Sequence, residues 1–262
     1  MSSDQRAFLI FSGYNMRAIV AFCRTLRQMR LPIHIVARAA DGPVFRTAYR
    51  RQVRAVRSTT ALEWSDIERC VREARAATGI AEWVICPTSE FLNVFMLQHL
   101  GELAALNCRL PLVPPDLYRQ VSSKGLFRAH CEEYGLKVPA RYEGPDTAPL
   151  PFVAKPLCNV TDDKRSLYPC LIYDEEQRRA FLATENPAEF FYEELVKGQS
   201  YYLLFHIARD GAVTRFSQRN LLQQPDGKSI LLARSAGLHE TPVADRYAGL
   251  LKKLGLDRKS VV

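Results

Sequence analysis

Short apolar runs alternate with stripes of helical period over the first part of the chain. AFLIFS (7–12) is an apolar run that ends in Ser-Gly and reads as a buried strand. Asn15 stands where it caps a helix through Arg30, with Ile19, Phe22, Cys23, Leu26 and Met29 on one stripe. PIHIVA (32–37) reads as a second strand. Ser65 is placed to cap a helix that runs to Thr78 and is stopped by Gly79. WVICP (83–87) reads as a third strand, and Ser89 as the cap of a helix running to about Leu106. Strands separated by helices predict a parallel sheet covered on both faces, with right-handed crossovers.

The proline-rich stretch LPLVPPDLYRQ (110–120) ends this alternation and sets an expected boundary near Leu112. Beyond it the pattern predicts a helix from Ser123 that Gly135 stops, then an extended segment from Val138-Pro139. Strands are expected over 152–155 and 167–172, and Asp174 caps a helix to Thr184. Further strands are expected over 190–196, 201–208 and 213–222, with Asp210-Gly211 as a hairpin turn. A last helix is centred on 245–254.

Composition narrows the class. A chain of 262 residues is long enough for two domains, and 47% hydrophobic with 24% charged residues describes a globular protein. No apolar run approaches the ~20 residues of a membrane helix, and MSSDQRAFLIFSG is not built like a signal peptide. No membrane partner and a cytoplasmic location are therefore expected. The seven cysteines never form CxxC; an odd, scattered set reads as reduced thiols rather than a zinc site. The net charge of +8 is uneven, because residues 1–112 hold 15 Arg, no Lys and 9 acidic residues. Within FRTAYRRQVRAVR, Arg46, Arg50, Arg51, Arg54 and Arg57 meet no acid, while Phe45, Tyr49, Val53 and Val56 recur at near-helical spacing. That pattern predicts a helix with an arginine face. A solvated face or a homo-oligomer contact is favoured over a phosphate patch, and nucleic acid is not favoured as a partner, since no aromatic platform is interleaved.

Candidate chemistry lies mainly beyond the boundary. The first strand is followed by SGYNMRA, whose single glycine does not make a dinucleotide fingerprint. The strand-end loops 12–15 and 88–90 lie where open α/β sheets bind ligands, with Glu90 and Asn93 as candidate substrate contacts. Lys124 opens the helix SSKGLFRAHCEEYGL, Lys155 ends the run PFVAKP, and EELVKG (193–198) follows. Two cations and then an acidic-apolar segment form a layout able to hold ATP, with phosphates on the cations and the base on the hinge.

On these segments the chain from about Leu112 onward resembles the ATP-grasp superfamily. The resemblance implies an α/β fold class: an N-terminal Rossmann-like parallel-sheet (pre-ATP-grasp) domain, 1–112, followed by an incomplete α+β ATP-grasp domain, 113–256. SSKGLFRAHCEEYGLKVPARY looks like the lysine-bearing helix and PFVAKP like the strand of the second lysine, so Lys124 and Lys155 would contact phosphates. EELVKG looks like the adenine hinge, with Glu193 and the backbone of Glu194, Leu195 and Val196 on the base. In FSQRNLLQQPDGKSILLARSAG, Arg219 and the DGKS turn would approach the γ-phosphate or substrate, which makes Arg219 the candidate catalytic residue. ATP and Mg2+ are the implied cofactors, and small-molecule carboxylate and amine the implied substrates of a carboxylate–amine ligase. The alternative is a non-catalytic nucleotide-binding or regulatory module of the same ancestry.

Three departures accompany the resemblance. The stretch after Lys155, PLCNVTDDKRSLYP, has no glycine for a phosphate flap, leaving Asn159, Thr161, Lys164 and Arg165 as substitutes. Ser200 stands where a ribose-contacting acid is common in the family. After Gly237 only Glu240, Asp245 and Asp257 are acidic, so no metal ligands are assigned and the chain as written is expected to lack turnover. Residues 257–262, DRKSVV, match one reading frame of a sequencing adapter; the expectation is a non-native tail on a C-terminally truncated domain.

Overall fold

The computed structural model describes residues 6–13, 15–157, 167–208, 210–224 and 230–256. The chain divides into two compact units, 1–115 and 116–262.

Unit 1 holds β1 (Arg6–Phe11), α1 (Met16–Gln28), β2 (Ile33–Ala37), β3 (Val53–Val56), α2 (Trp64–Thr78), β4 (Glu82–Pro87), α3 (Glu90–Gln98), α4 (Leu100–Ala105) and β5 (Cys108–Arg109). The strands form one parallel sheet in the order β3-β2-β1-β4-β5. The order of strand addition reverses between β1 and β4, which is the switch point where such sheets open a crevice. Alternate strand residues feed two cores. Leu9, Phe11, Val36, Ala55, Trp83 and Ile85 pack with Ile67, Val71 and Met96 on one face; Ile10, Ile35 and Ala37 pack with Ile19, Cys23 and Leu26 of α1 on the other.

The expected elements are present, with instructive differences. Asn15 caps α1 through Oδ1, which accepts from the Ala18 N–H at 3.2 Å, but α1 ends two residues early and Met29 is exposed. Ser65 does not cap α2. Glu63 holds that position without a side-chain bond, and the neighbouring Asp66 organises the start of the helix instead. Gly79 stops α2 at φ 70°, a left-handed conformation that glycine adopts without strain. The helix expected through Leu106 breaks at His99 into α3 and α4.

The largest correction concerns the arginine run. Residues 43–57 are not a helix: two short 3-10 turns, Pro43–Arg46 and Arg50–Gln52, lead into β3. Nor are all five arginines without an acid. Arg57 is buried and donates through Nε to Asp66 Oδ2 at 3.2 Å. Asp66 also accepts from the N–H and Oγ of Ser58, at 2.9 and 2.7 Å, and from Arg69 at 2.6 Å. Burial pushes the Asp66 carboxyl up, but the Ser58 and arginine hydrogen bonds outweigh it and hold it well below the carboxylate range. Arg54 donates to His34 Nδ1 at 3.0 Å.

The helix α5 (Pro115–Ser122) starts on the last residue of unit 1 and occupies part of the stretch read as a proline-rich boundary; proline in the first turn of a helix is well tolerated. Next come α6 (Lys124–Glu133), β6 (Arg141–Tyr142), β7 (Phe152–Pro156), β8 (Cys170–Ile172), α7 (Glu175–Thr184), β9 (Phe190–Glu194), β10 (Ser200–Ile207), β11 (Val213–Gln223), β12 (Ile230–Ser235) and α8 (Pro242–Lys253). Four strands form an antiparallel sheet, β6-β9-β7-β8, and three form a second, β10-β11-β12. Phe152 and Ala154 of β7, with Phe190 and Tyr192 of β9, pack on Phe181 of α7. Cys131 and Leu136 pack on Leu250 of α8. The flap substitutes 159–165 and the DGKS turn at 226–229 lie outside the described residues, as does 257–262.

Candidate functional site

Strand alternation decides which side chains can meet. With Phe152, Ala154, Phe190 and Tyr192 turned toward α7, the intervening Val153, Lys155, Phe191 and Glu193 occupy the opposite face. In the β7–β9 register Val153 faces Glu193 and Lys155 faces Phe191, so Lys155 and Glu193 are diagonal neighbours, within reach of a long side chain. Lys155 Nζ donates to Glu193 Oε2 at 2.5 Å. The other carboxylate oxygen, Oε1, accepts from Arg128 Nη1 at 2.8 Å, and Arg128 Nη2 donates to Glu132 Oε1 at 2.8 Å. Glu193 is only 5% exposed, whereas the Lys155 side chain keeps 35% of its surface open. The result is an alternating row, Lys155–Glu193–Arg128–Glu132, anchored on a buried carboxylate.

Arg128 is the member that sequence reasoning missed. It lies one helical turn after Lys124 and one turn before Glu132, so its face of α6 was readable. Its tie to Glu193, 65 residues away, has no local signature.

The other expected residues divide. Lys124 is exposed at the first turn of α6, whose N-cap Ser123 accepts from the Leu126 N–H. Glu194 is exposed; its N–H donates to Ala140 O at 2.8 Å, and its carboxylate accepts from the Ala140 N–H at 3.3 Å. Leu195 and Val196 follow the end of β9, and their main-chain groups form no hydrogen bond among the described residues. Val196 is 63% exposed. Main-chain groups without a hydrogen bond among the described residues, beside the half-buried Leu195 and the exposed Val196, could meet the edge and face of a flat heterocycle. Arg219 sits half-buried in β11, opposite Tyr201 and Arg234 in register, without a salt bridge among the described residues. Ser200 Oγ accepts from Asn220 Nδ2 at 2.9 Å.

In unit 1, Thr88 Oγ1 donates to Phe11 O at 2.7 Å and stitches the ends of β4 and β1. Ser12 Oγ accepts from the Arg38 N–H, Ser89 caps α3, and Glu90 and Asn93 lie at the start of that helix. Among the described residues no group of three or more His, Cys, Asp or Glu could hold a metal ion.

No family model matches this chain, and no curated protein does. Solved structures do. A biotin carboxylase from Campylobacter jejuni in complex with β,γ-ATP matches over 95% of this chain and 59% of its own, at 13% identity and a TM-score of 0.64. An N5-carboxyaminoimidazole ribonucleotide synthetase (purK) in its ADP complex matches over 97% and 64%, at 13% identity and TM-score 0.62. The corresponding synthase from Aspergillus clavatus with ATP matches over 99% and 65%, at 10% identity and TM-score 0.62. The chain thus covers less than two thirds of the length of these structures. The fold is ATP-grasp. A parallel-sheet unit followed by a unit with two antiparallel sheets is the α/β arrangement expected for it. Within unit 2, the Lys155–Glu193 pair and the segment after Glu194 lie on neighbouring strands or their direct continuation.

Proposed function

We propose that this chain binds ATP in unit 2, and that the protein to which it belongs activates a carboxylate as an acylphosphate and joins it to an amine. The observation that carries the reading is the pairing of β7 with β9. It sets the Lys155 ammonium beside the strand that runs into Leu195 and Val196. The nucleotide and carboxylating enzymes named among the structural neighbours give the same direction.

In this reading Lys155 and Lys124 meet phosphate oxygens as point charges. The backbone of Glu194 to Val196 reads the adenine edge, and Arg219 approaches the γ-phosphate or the substrate carboxylate. Glu193 acts mainly as an anchor, because both its oxygens already accept from cations. Arg128 shares that carboxylate, so the Lys155 charge is not wholly claimed by Glu193. Bound ATP supplies the phosphoryl group that makes the carboxylate electrophilic. The described residues do not fit a magnesium site, so no metal-dependent step is assigned to them.

The test is equilibrium binding of a non-hydrolysable ATP analogue to the wild-type chain and to Lys155→Ala. Carboxylate- and amine-dependent ADP release by the full-length protein then tests ligation. An analogue-binding protein with no such release would instead be the nucleotide-binding module.

A further inference from the structure

The arginine-rich run of unit 1 treats its members unequally. Arg54 and Arg57 are tied to His34 and Asp66. Arg46, Arg50 and Arg51 are exposed and, with Thr47 and Ala48, line a hollow of about 390 Å³. A second hollow of about 410 Å³ adjoins it through Ala48 and is lined by Arg27, Arg30, Leu31, Ile33, Tyr49 and Gln52. Five arginines thus surround two joined depressions, and neither lining contains an Asp or Glu. None of the five forms an ion pair among the described residues. Gln52 adds a second sign of an expected occupant: its Oε1 is buried and has no hydrogen-bond partner among the described residues.

Ile33 is the first residue of β2, so the second hollow lies at the amino end of that strand. The crevice between β1 and β4 opens at the opposite, carboxyl ends, near Ser12 and Thr88. The arginine site is therefore separate from the sheet's usual ligand crevice. All its cations are arginine, whose planar fork binds phosphate oxygens in pairs and keeps its charge at any working pH. Two adjoining hollows suit a small anion bearing at least two phosphate groups, and a hydroxyl beside them would satisfy Gln52.

We propose that these joined hollows, lined by residues of unit 1 alone, are a binding site for a small multiply phosphorylated anion. The test is titration calorimetry with inorganic tripolyphosphate, using the full chain carrying Lys155→Ala so that the nucleotide site contributes little. The same chain is then compared with Arg46, Arg50 and Arg51 changed to Gln. The expected result is saturable binding that weakens by at least about ten-fold with the three substitutions. Placed instead in the Lys155-intact chain, those substitutions should leave ATP-analogue affinity and the thermal midpoint unchanged. Equal tripolyphosphate affinity with and without the three arginines overturns the site. Tighter binding of a single-stranded oligonucleotide than of tripolyphosphate at the same salt overturns the small-anion assignment. Self-association of the wild type that the substitutions abolish also overturns it, since a second copy would then cover this face. If Lys155→Ala retains full analogue affinity, the nucleotide reading fails, while the arginine comparison within one background still stands.

Discussion

The two cation-rich regions of this molecule handle charge in opposite ways. In unit 2, Lys155, Glu193, Arg128 and Glu132 alternate in sign around a carboxylate that water hardly reaches. In unit 1, Arg46, Arg50 and Arg51 stand in solvent with no ion pair among the described residues, while nearby Arg57, only 5% exposed in its side chain, is neutralised by Asp66. Burial explains the difference. A charge removed from water needs a partner and further hydrogen bonds, whereas an exposed guanidinium is kept by its own hydration. Unpaired charge at a surface is thus inexpensive for the fold and is available to a ligand; paired charge in the interior sets geometry.

Breaking the interior pairs should have the largest effect. Asp66→Asn leaves Arg57 buried without its anion and should destabilise unit 1 by about 3 to 5 kcal/mol. Both tryptophans, Trp64 and Trp83, lie in this unit, so denaturant titration followed by tryptophan fluorescence reports it alone. Glu193→Ala leaves the less deeply buried Lys155 without its anion and Arg128 with Glu132 alone. A loss of about 2 kcal/mol is expected, read from far-ultraviolet circular dichroism during denaturation. Arg128→Gln should leave Lys155 bound to Glu193 alone, weakening an ATP analogue about ten-fold while adenosine affinity changes by less than about two-fold. Arg128→Lys should restore much of the difference. A parallel loss for both ligands would mean that Arg128 only supports the fold.

Acid offers a milder probe of unit 1. Burial first, and the Arg54 charge second, lower the His34 pKa from 6.5 to about 4. The fold favours the neutral ring, so the unfolded chain takes up the proton first as pH falls. Stability should be flat above about pH 7, decline between pH 6.5 and 4, and level off below. A His34→Leu chain should lose that part of the pH dependence of the tryptophan-monitored midpoint. The smallest effect belongs to the exposed set: changing Arg46, Arg50 and Arg51 to Gln should move stability by no more than about 0.5 kcal/mol.

Much of the fold was legible because buried strands and amphipathic helices leave strong periodic marks. The strands at β1, β2 and β4 were readable as short apolar runs, and β7 as an apolar run closed by a lysine. β3 was misread. Its Val53 and Ala55 alternate with Arg54, yet Phe45, Tyr49, Val53 and Val56 also fall at helical spacing, and a four-residue strand is too short to outweigh that stripe. The Asp210-Gly211 turn between β10 and β11 was readable from turn chemistry, whereas β12, with exposed Leu231 and Leu232, lacks the alternation of a half-buried strand. For the candidate site, the lysine strand and the segment after Glu194 were visible in the sequence. The partners of Glu193 were not, because ion pairs across 38 and 65 residues depend on strand register and helix placement.

The central claim is that Lys155, beside the segment that continues β9, is a phosphate-binding cation of an ATP site. Equilibrium binding of a non-hydrolysable ATP analogue to the wild-type chain and to Lys155→Ala tests it most directly. The account predicts saturable binding by the wild type and at least a ten-fold loss in the variant, about 1.4 kcal/mol or more. Equal affinity in the two chains, or no binding by the wild type, would contradict it.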